Sequence, residues 1–273
     1  MGLDMGLTEN DAAIIQDELG DRGAAVGTPA HLGGVAYDEL GVTGYGVAEA
    51  ADAAASSICP PMVGARVSIQ GFGAVGAATA QRLTELGAAV VVVSTARGGL
   101  YAADRFNMDH LLAARAVYGD ELVQHEDLGV RTPPGQELTI DCDILVPAAL
   151  QDTIDDEVAH QIKARLVVEG ANLPTSPSAQ GILAERDITV VPDFLANAGG
   201  VVAAAYVMDS RYSGFRPDTE AIFKTISTRL RANTHEVLDE ARRGQTTPHT
   251  AGRAIAQGRV LAAMQSKGRL PRP

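Results

Sequence analysis

The sequence predicts an α/β fold: a mostly parallel sheet wound by helices on both faces, followed by a helical C-terminal extension. Three observations carry this. First, the run Arg66-Val-Ser-Ile-Gln-Gly71-Phe-Gly73-Ala-Val-Gly76 stops at a glycine cluster, a small-residue segment follows at Ala77 to Leu86, and a second apolar run follows at Ala88 to Val93. That is strand, glycine turn, helix, strand. Second, apolar run and helix keep alternating as far as Val191, the pattern of a parallel sheet covered on both faces. Third, beyond Gly200 the apolar runs give way to helical periodicity. Together they define a Rossmann-like, doubly wound sheet.

The elements follow in order. Thr8 N-caps a first helix with Asp11 three residues on, Ile14, Ile15 and Leu19 share one face, and Gly20 ends it. Residues 23–42 are rich in Gly and Pro and read as a connection. An Ala-rich helix spans Val47 to Ser57, with Thr43 as candidate cap, and Cys59-Pro60-Pro61 breaks it. After the glycine-bearing unit come a Gly98-Gly99 turn, a helix at Met108 to Tyr118 and a loop holding Pro133-Pro134-Gly135. Strands are expected at Ile144 to Leu150, Arg165 to Val168 and Ile188 to Val191, with helices over 154–163 and 177–185 between them. Helices then cover Val201 to Ser210, Thr219 to Arg243 and Thr247 to Lys267, the last with Pro248 in its first turn.

In such sheets a ligand sits off the carboxyl ends of the strands. The segments Gly71–Gly76, Ser94–Gly99, Pro147–Leu150, Glu169–Asn172 and Asp193–Gly200 are therefore expected to line one crevice. Gly71 lets the chain turn out of the strand, Gly73 lets backbone approach a pyrophosphate, and Gly76 lets the helix pack against the sheet. The backbone N–H groups at Ala74, Val75 and Gly76, beside Phe72, then face the phosphates, where the helix dipole also favours negative charge. The residue that meets the adenosine ribose is normally acidic. Here Thr95 occupies its place and Arg97 follows. An Arg attracts a 2′-phosphate that a carboxylate would repel, so NADP is favoured over NAD, unless Arg97 is simply a solvated loop residue. Asn172 and Asn197 sit at strand ends and offer both donor and acceptor. Each either meets a carboxamide such as nicotinamide or holds its own loop by a turn hydrogen bond.

Composition narrows the classes. The 273 residues are 46% hydrophobic but only 4% aromatic, so Ala, Val, Leu and Ile must build the core. A net charge of −12 and a pI near 4.9 argue against nucleic acid or a membrane surface as partner. Two cysteines, Cys59 and Cys142, make no disulfide scaffold and suggest buried thiols in a reducing cytoplasm. The acidic start lacks an apolar h-region, so no signal peptide is expected. The six His show no metal-ligand spacing, and no metal is expected.

Five ordered motifs carry a resemblance. Thr43-Gly-Tyr-Gly46, Gly71-Phe-Gly-Ala-Val-Gly76, Asp141-Cys-Asp-Ile-Leu-Val-Pro-Ala-Ala-Leu150, Glu169-Gly-Ala-Asn-Leu-Pro174 and Asp193-Phe-Leu-Ala-Asn-Ala-Gly-Gly-Val201 resemble the Glu/Leu/Phe/Val amino-acid dehydrogenases over nearly the whole chain. The resemblance implies reversible oxidative deamination: an L-amino acid and NAD(P)+ give a 2-oxo acid, ammonia and NAD(P)H. It implies that Thr43 and Asn197 lie near the nicotinamide amide; Phe72, Ala148 and Asn172 complete the expected cofactor-binding set. It also makes Asp4, in Gly2-Leu-Asp4-Met-Gly6, the proton-transfer residue. On this view residues 1–34 are the remnant of a substrate domain and its connection, 35–200 the dinucleotide-binding domain and 201–273 the C-terminal helices.

The departures from the family pattern matter too. The family's substrate domain carries an essential lysine in a glycine-rich segment, and a second lysine for the substrate carboxylate. This sequence holds only Lys163, Lys224 and Lys267, none in such a setting. The expectation is cofactor binding with little turnover by this polypeptide alone. It would act within a homo-oligomer or with a partner supplying the missing domain. The alternative is a non-catalytic NADP-binding sensor or assembly module. Ala74 stands where members often carry Asn. Ala204 stands where glutamate-specific members carry Ser, which suits an aliphatic or aromatic substrate side chain.

Overall fold

The computed structural model describes residues 1–2, 6–58, 61–210 and 218–270. Asp4 and Cys59 lie outside the described residues. The chain opens with α1 (Glu9–Leu19), α2 (Tyr37–Leu40) and α3 (Val42–Ile58). The glycine unit is β1 (Arg66–Gln70), α4 (Ala74–Glu85) and β2 (Ala89–Thr95). Next come β3 (Gly98–Tyr101), α5 (Met108–Tyr118), β4 (Val130–Thr132) and β5 (Ile144–Pro147). The second half adds α6 (Asp156–Gln161), β6 (Leu166–Val168), α7 (Pro177–Glu185) and β7 (Thr189–Val191). Four helices close the chain: α8 (Asp193–Ala196), α9 (Gly199–Ser210), α10 (Thr219–Arg243) and α11 (Pro248–Ser266). Among the described residues, no helix is long and apolar enough to cross a membrane.

The strands form one sheet in the order β4-β3-β2-β1-β5-β6-β7. β1 pairs in parallel with β2 on one side and β5 on the other, and β6 and β7 continue in parallel. Winding reverses between β1 and β5, which makes the carboxyl ends of these two strands the topological switch point. The period of two along the strands sorts side chains to two faces. Ile144, Val146, Leu166, Val168 and Val191 point into the core beneath α3 and α4. Leu145, Val167 and Val190 point into a second core with residues of α6 and α7. The sheet is thus covered on both faces, as the apolar runs predict.

Several local expectations are corrected. Thr43 is no cap: α3 begins at Val42, because Gly41 (φ 65°) makes the turn out of α2 and puts Thr43 inside the first helical turn. The Gly98-Gly99 turn is instead strand. β2 runs on to Thr95, which pairs with Gly98, so Ala96-Arg97 forms the hairpin turn. Gly99 lies so close to β4 that a Cβ there would meet Thr132 Oγ1 at 2.4 Å. β4 itself occupies what reads as loop, pairing antiparallel with β3. α4 begins at Ala74 rather than Ala77. α1 has the expected Thr8–Asp11 capping box and ends at Gly20. However, Ile14 and Leu19 are 59% and 68% exposed. The following segment folds back on the Ala12 side, where Gln16 Nε2 donates to Ala25 O at 2.7 Å. Cys142 is buried, and burial pushes its thiol up to about 12, as expected of an inert core thiol.

Helix α3 is the hub of the helical layer. Gly44 faces α4 closely enough that a Cβ would meet Val75 O at 2.3 Å, and Gly199 would meet Val42 O at 2.2 Å. Only glycine permits these approaches, so the T-G-Y-G and A-G-G segments are first of all packing devices. One turn further on, Glu49 is fully buried between three helices. Its carboxylate accepts from Arg82 Nε of α4 at 2.8 Å and from Ser227 Oγ of α10 at 2.6 Å. It also takes Arg231 Nε, whose Nη2 reaches Asp52 at 2.7 Å. Burial works against this charge, but the hydrogen bonds from Ser227, Arg231 and Arg82 outweigh it and hold the carboxyl below its ordinary range.

Removing Glu49 takes from the half-buried Arg82, Arg231 and Ser227 the one acceptor they share, although Glu85 and Asp52 still pair the guanidiniums. Glu49→Ala should therefore lower stability by about 3–5 kcal/mol in urea unfolding. Because the folded-state pKa is depressed, the wild type holds this contribution above the ordinary carboxylate pKa. It should lose it as pH falls, and the gap to Glu49→Ala should narrow in acid.

Candidate dinucleotide site

The glycine segment leaves β1 at Gly71, whose φ of 85° turns the chain sharply. A Cβ on Gly76 would lie 1.8 Å from Gly71 O, so the helix start and the strand end touch backbone to backbone. Gly73 is the N-cap residue of α4 and supplies no side-chain cap. Ala77 N–H is bonded back to Gly73 O at 3.0 Å. The N–H groups of Ala74, Val75 and Gly76 are the orphan donors of the helix end. A Cβ on Gly73 would meet nothing within 4 Å, so the space in front of these donors is open. Uncapped donors, a positive helix end and open space fit a pyrophosphate.

Phe72 is turned inward and 2% exposed. Its N–H donates to Ser94 O at 2.7 Å and its carbonyl accepts from Arg115 Nε at 2.8 Å. Ser94 Oγ accepts Gly71 N–H at 3.2 Å. Phe72 thus braces the loop from below rather than facing the crevice.

At the end of β2, Thr95 Oγ1 donates to Asp120 O at 2.9 Å and accepts Arg97 N–H at 3.1 Å. Arg97 Nε lies 3.0 Å from Glu121 Oε1, with both side chains more than half exposed. Such a pair contributes little to stability, so the guanidinium can exchange Glu121 for a phosphate.

On the other side of the switch point, a Cβ on Gly170 would meet Ala148 Cβ at 3.0 Å, which seats Ala148 against the loop after β6. Asn197 Nδ2 donates to Asn172 Oδ1 at 2.8 Å, joining the loops after β6 and β7. A Cβ on Gly200 would stand 3.0 Å from Thr43 Oγ1, which places the start of α3 beside the start of α9. The structure therefore brings Ala148, Asn172 and Asn197 to the carboxyl edge of β5, β6 and β7, with Thr43 beside α9.

Two buried carboxylates hold that edge. Glu169 is 1% exposed, and its Oε2 accepts Asp193 N–H at 3.0 Å. Asp193 accepts Leu173 N–H at 2.8 Å and Phe194 N–H at 2.7 Å. Thr175 stands near enough to favour the charged form of Glu169, yet neither Glu169 Oε1 nor Thr175 Oγ1 closes a hydrogen bond. Burial dominates and pushes the Glu169 carboxyl up to about 7, against the help of Thr175 and of Asp193 N–H.

Sequence reasoning did not single out Ser94, Arg115, Glu169 or Asp193. Glu169 and Asp193 open two of the recognised motifs, so a signal existed. A buried acid beside a glycine at a strand end asks for backbone donors. Nothing in the sequence pairs Arg115 with Phe72, 43 positions away.

The fold and the site define a doubly wound α/β protein with a glycine loop at its switch point. The sequence model of the Glutamate/Leucine/Phenylalanine/Valine dehydrogenase family matches residues 33–268, and the chain belongs to that family. It is 38% identical over 259 residues to the NADP-specific glutamate dehydrogenase of Saccharolobus shibatae, covering 92% of this chain and 59% of the relative. It is 34% identical over 253 residues to the cryptic catabolic NAD-specific glutamate dehydrogenase of Bacillus subtilis, covering 92% and 58%. Among solved structures, the hetero-hexameric glutamate dehydrogenase from Thermus thermophilus in its Leu-bound form superposes with a TM-score of 0.87 at 29% identity. That match covers 99% of this chain and 65% of the other. The chain thus spans about three fifths of the length of the curated relatives it matches.

The raised Glu169 carboxyl has a measurable sign. The folded state keeps its proton up to about pH 7, while an unfolded Glu releases it near pH 4.3. Stability therefore falls as pH rises through that window. The Glu169→Gln chain should lack this slope. The stability difference between the two chains should shift in favour of Gln by on the order of 3 kcal/mol between pH 4 and pH 8. Urea unfolding at several pH values measures it.

Proposed function

We propose that this chain binds NADP or NAD across the carboxyl ends of β1 and β5 and serves the reversible oxidative deamination of an L-amino acid to a 2-oxo acid and ammonia. The observation that carries the reading is the uncapped start of α4, open at Gly73 and bordered at Gly71 by Ala148 and Ala149. Residues 35–200 form the dinucleotide-binding domain, residues 1–34 connect it to a substrate domain, and 201–273 are the C-terminal helices. The relatives' names include both NADP-specific and NAD-specific glutamate dehydrogenases. Arg97 and the absence of an acid at Thr95 favour NADP here.

When bound, the nicotinamide supplies a hydride acceptor for the α-carbon of the amino acid. The chain's own residues bind and orient. The N–H groups of Ala74, Val75 and Gly76 hold the pyrophosphate. Thr95 and Arg97 hold the adenosine end, while Thr43, Asn172 and Asn197 orient the carboxamide beside Ala148. Asp4 moves a proton at the substrate nitrogen. The amine that activates water and stabilises the tetrahedral stage comes from a lysine-bearing domain. None of Lys163, Lys224 and Lys267 lies on the loops after β1, β5, β6 or β7. The second reading is a non-catalytic NADP-binding sensor or assembly module. The hetero-hexameric relative supports assembly into an oligomer, with like chains or with a partner chain. The acidic, cysteine-poor composition supports a cytoplasmic setting.

Fluorescence titration of the 273-residue chain should show saturable NADPH binding, tighter than NADH. Absence of binding to either would overturn the reading. Assays with Leu, Val, Phe and Glu should show little turnover until the lysine-bearing domain is supplied. No turnover even then would favour the sensor reading.

Two substitutions probe the site. At Gly73 the backbone (φ −78°, ψ −158°) is open to an L-residue. Gly73→Ala should change stability by less than about 1 kcal/mol while weakening both cofactors at least about tenfold, since the methyl fills the phosphate space. Arg97→Ala should weaken NADPH by about tenfold or more and leave NADH nearly unchanged. An unaltered NADPH-to-NADH affinity ratio would remove Arg97 from the site.

A further inference from the structure

We infer that Glu169 is a positioning residue for the carboxamide end of the dinucleotide: it fixes the loop bearing Asn172 against the start of α8, the short helix that ends at Asn197. The inference rests on the dinucleotide reading above and deepens it.

Past Val168 and Val191 the ladder ends, and buried backbone donors need acceptors from elsewhere. The loop after β6 is already tied to β5, because Gly170 N–H and Ala171 N–H both donate to Pro147 O, at 3.0 and 2.9 Å. Towards β7 one backbone bond remains, from Glu169 N–H to Val191 O at 3.1 Å, and beyond it the cross-links are carboxyl groups. Glu169 receives Asp193 N–H, and Asp193 returns the link by receiving Leu173 N–H. The two acids thus form a reciprocal clasp between the loops, one on either side of Asn172. Leu173 is drawn into a positive φ of 49°, which a non-glycine residue adopts only when its surroundings impose it. Its N–H is held by Asp193 Oδ2, and its carbonyl accepts Asp152 N–H at 2.9 Å.

Asn172 and Asn197 lie just beyond this clasp, their side chains 2.8 Å apart. Neither side chain receives a direct bond from Glu169, so Glu169 acts through the backbone. An apolar residue here would strand the buried Asp193 N–H. Glu169 instead presents one acceptor at the place where the two loops must meet. A carboxamide is read by donor and acceptor together, so a small change in the Asn–Asn separation costs both bonds. The pyrophosphate donors at α4 and the adenosine contacts at β2 stand across the switch point, on elements that Glu169 does not touch.

The test separates the two ends of the ligand. NADH and ADP-ribose share the adenosine and pyrophosphate, and only NADH carries the carboxamide. Both are titrated against the full chain, wild type, Glu169→Met and Glu169→Gln, with circular dichroism to verify folding. Glu169→Met keeps the bulk and removes the acceptor. It should weaken NADH about tenfold, the loss of a well-made hydrogen bond, while ADP-ribose changes less than about twofold. Glu169→Gln keeps an acceptor for Asp193 N–H and should restore NADH to within about twofold of wild type. Equal weakening of both ligands by Glu169→Met would overturn the inference in favour of a general structural role, and so would an unchanged NADH affinity. If Glu169→Met does not fold, Glu169→Asp, which shortens the arm by one methylene, carries the same comparison with the same two outcomes. Failure of ADP-ribose to bind the wild type would overturn the dinucleotide reading itself and this inference with it.

Discussion

The buried carboxylate of Glu49 is the interaction on which the helical layer depends. It lies where α3, α4 and α10 meet, and it is bound by a side chain from each of the other two helices. A charge in that place is tolerable only while every partner is present, because its desolvation is repaid by hydrogen bonds and not by general attraction. The consequence reaches the site. α4 is the helix whose start faces the phosphates, and α10 is the longest element beyond the sheet. Glu49 therefore ties the C-terminal helices to the glycine loop, and the close approaches at Gly44, to α4, and at Gly46, to Leu230 of α10, set the distances at which it can do so.

The same logic recurs, on a smaller scale, at the carboxyl edge of the sheet. There the chain must leave β6 and β7 without stranding buried donors, and it uses Glu169 and Asp193 to do it. One acid is shared between helices and stays ionised. The other is enclosed and holds its proton to near neutral pH. The difference lies in partners: Glu49 has two guanidiniums, and Glu169 has one backbone N–H and a neighbouring hydroxyl. Both carboxylates serve the same purpose, which is to hold flexible connections in one arrangement around the crevice.

Much of this was legible in the residues. Helices α5, α7 and α10 match their expected spans, because an apolar stripe at helical spacing and a cap are local signals. Strands β1, β2, β5, β6 and β7 were legible as short apolar runs. β3 and β4 were not: their residues are few, two are glycines, and they are strands only because a hairpin returns beside β2. Ile14 and Leu19 show the opposite failure, an apolar face that periodicity assigns to a core and that the structure leaves exposed.

The line between the two sources of knowledge is physical. Motif spacing suffices to identify the family, the alternation of helices with the parallel strands, and the side of the sheet where a ligand would sit. All of these follow from period, turn chemistry and chain direction. The partners of long-range contacts do not. That Glu49 meets Arg82 and Arg231, that Phe72 faces inward on Arg115, and that Glu169 clasps Asp193 depend on how separate elements come together in space. A local pattern encodes which way a residue faces along its own helix or strand. Only the packed tertiary structure decides what it then meets.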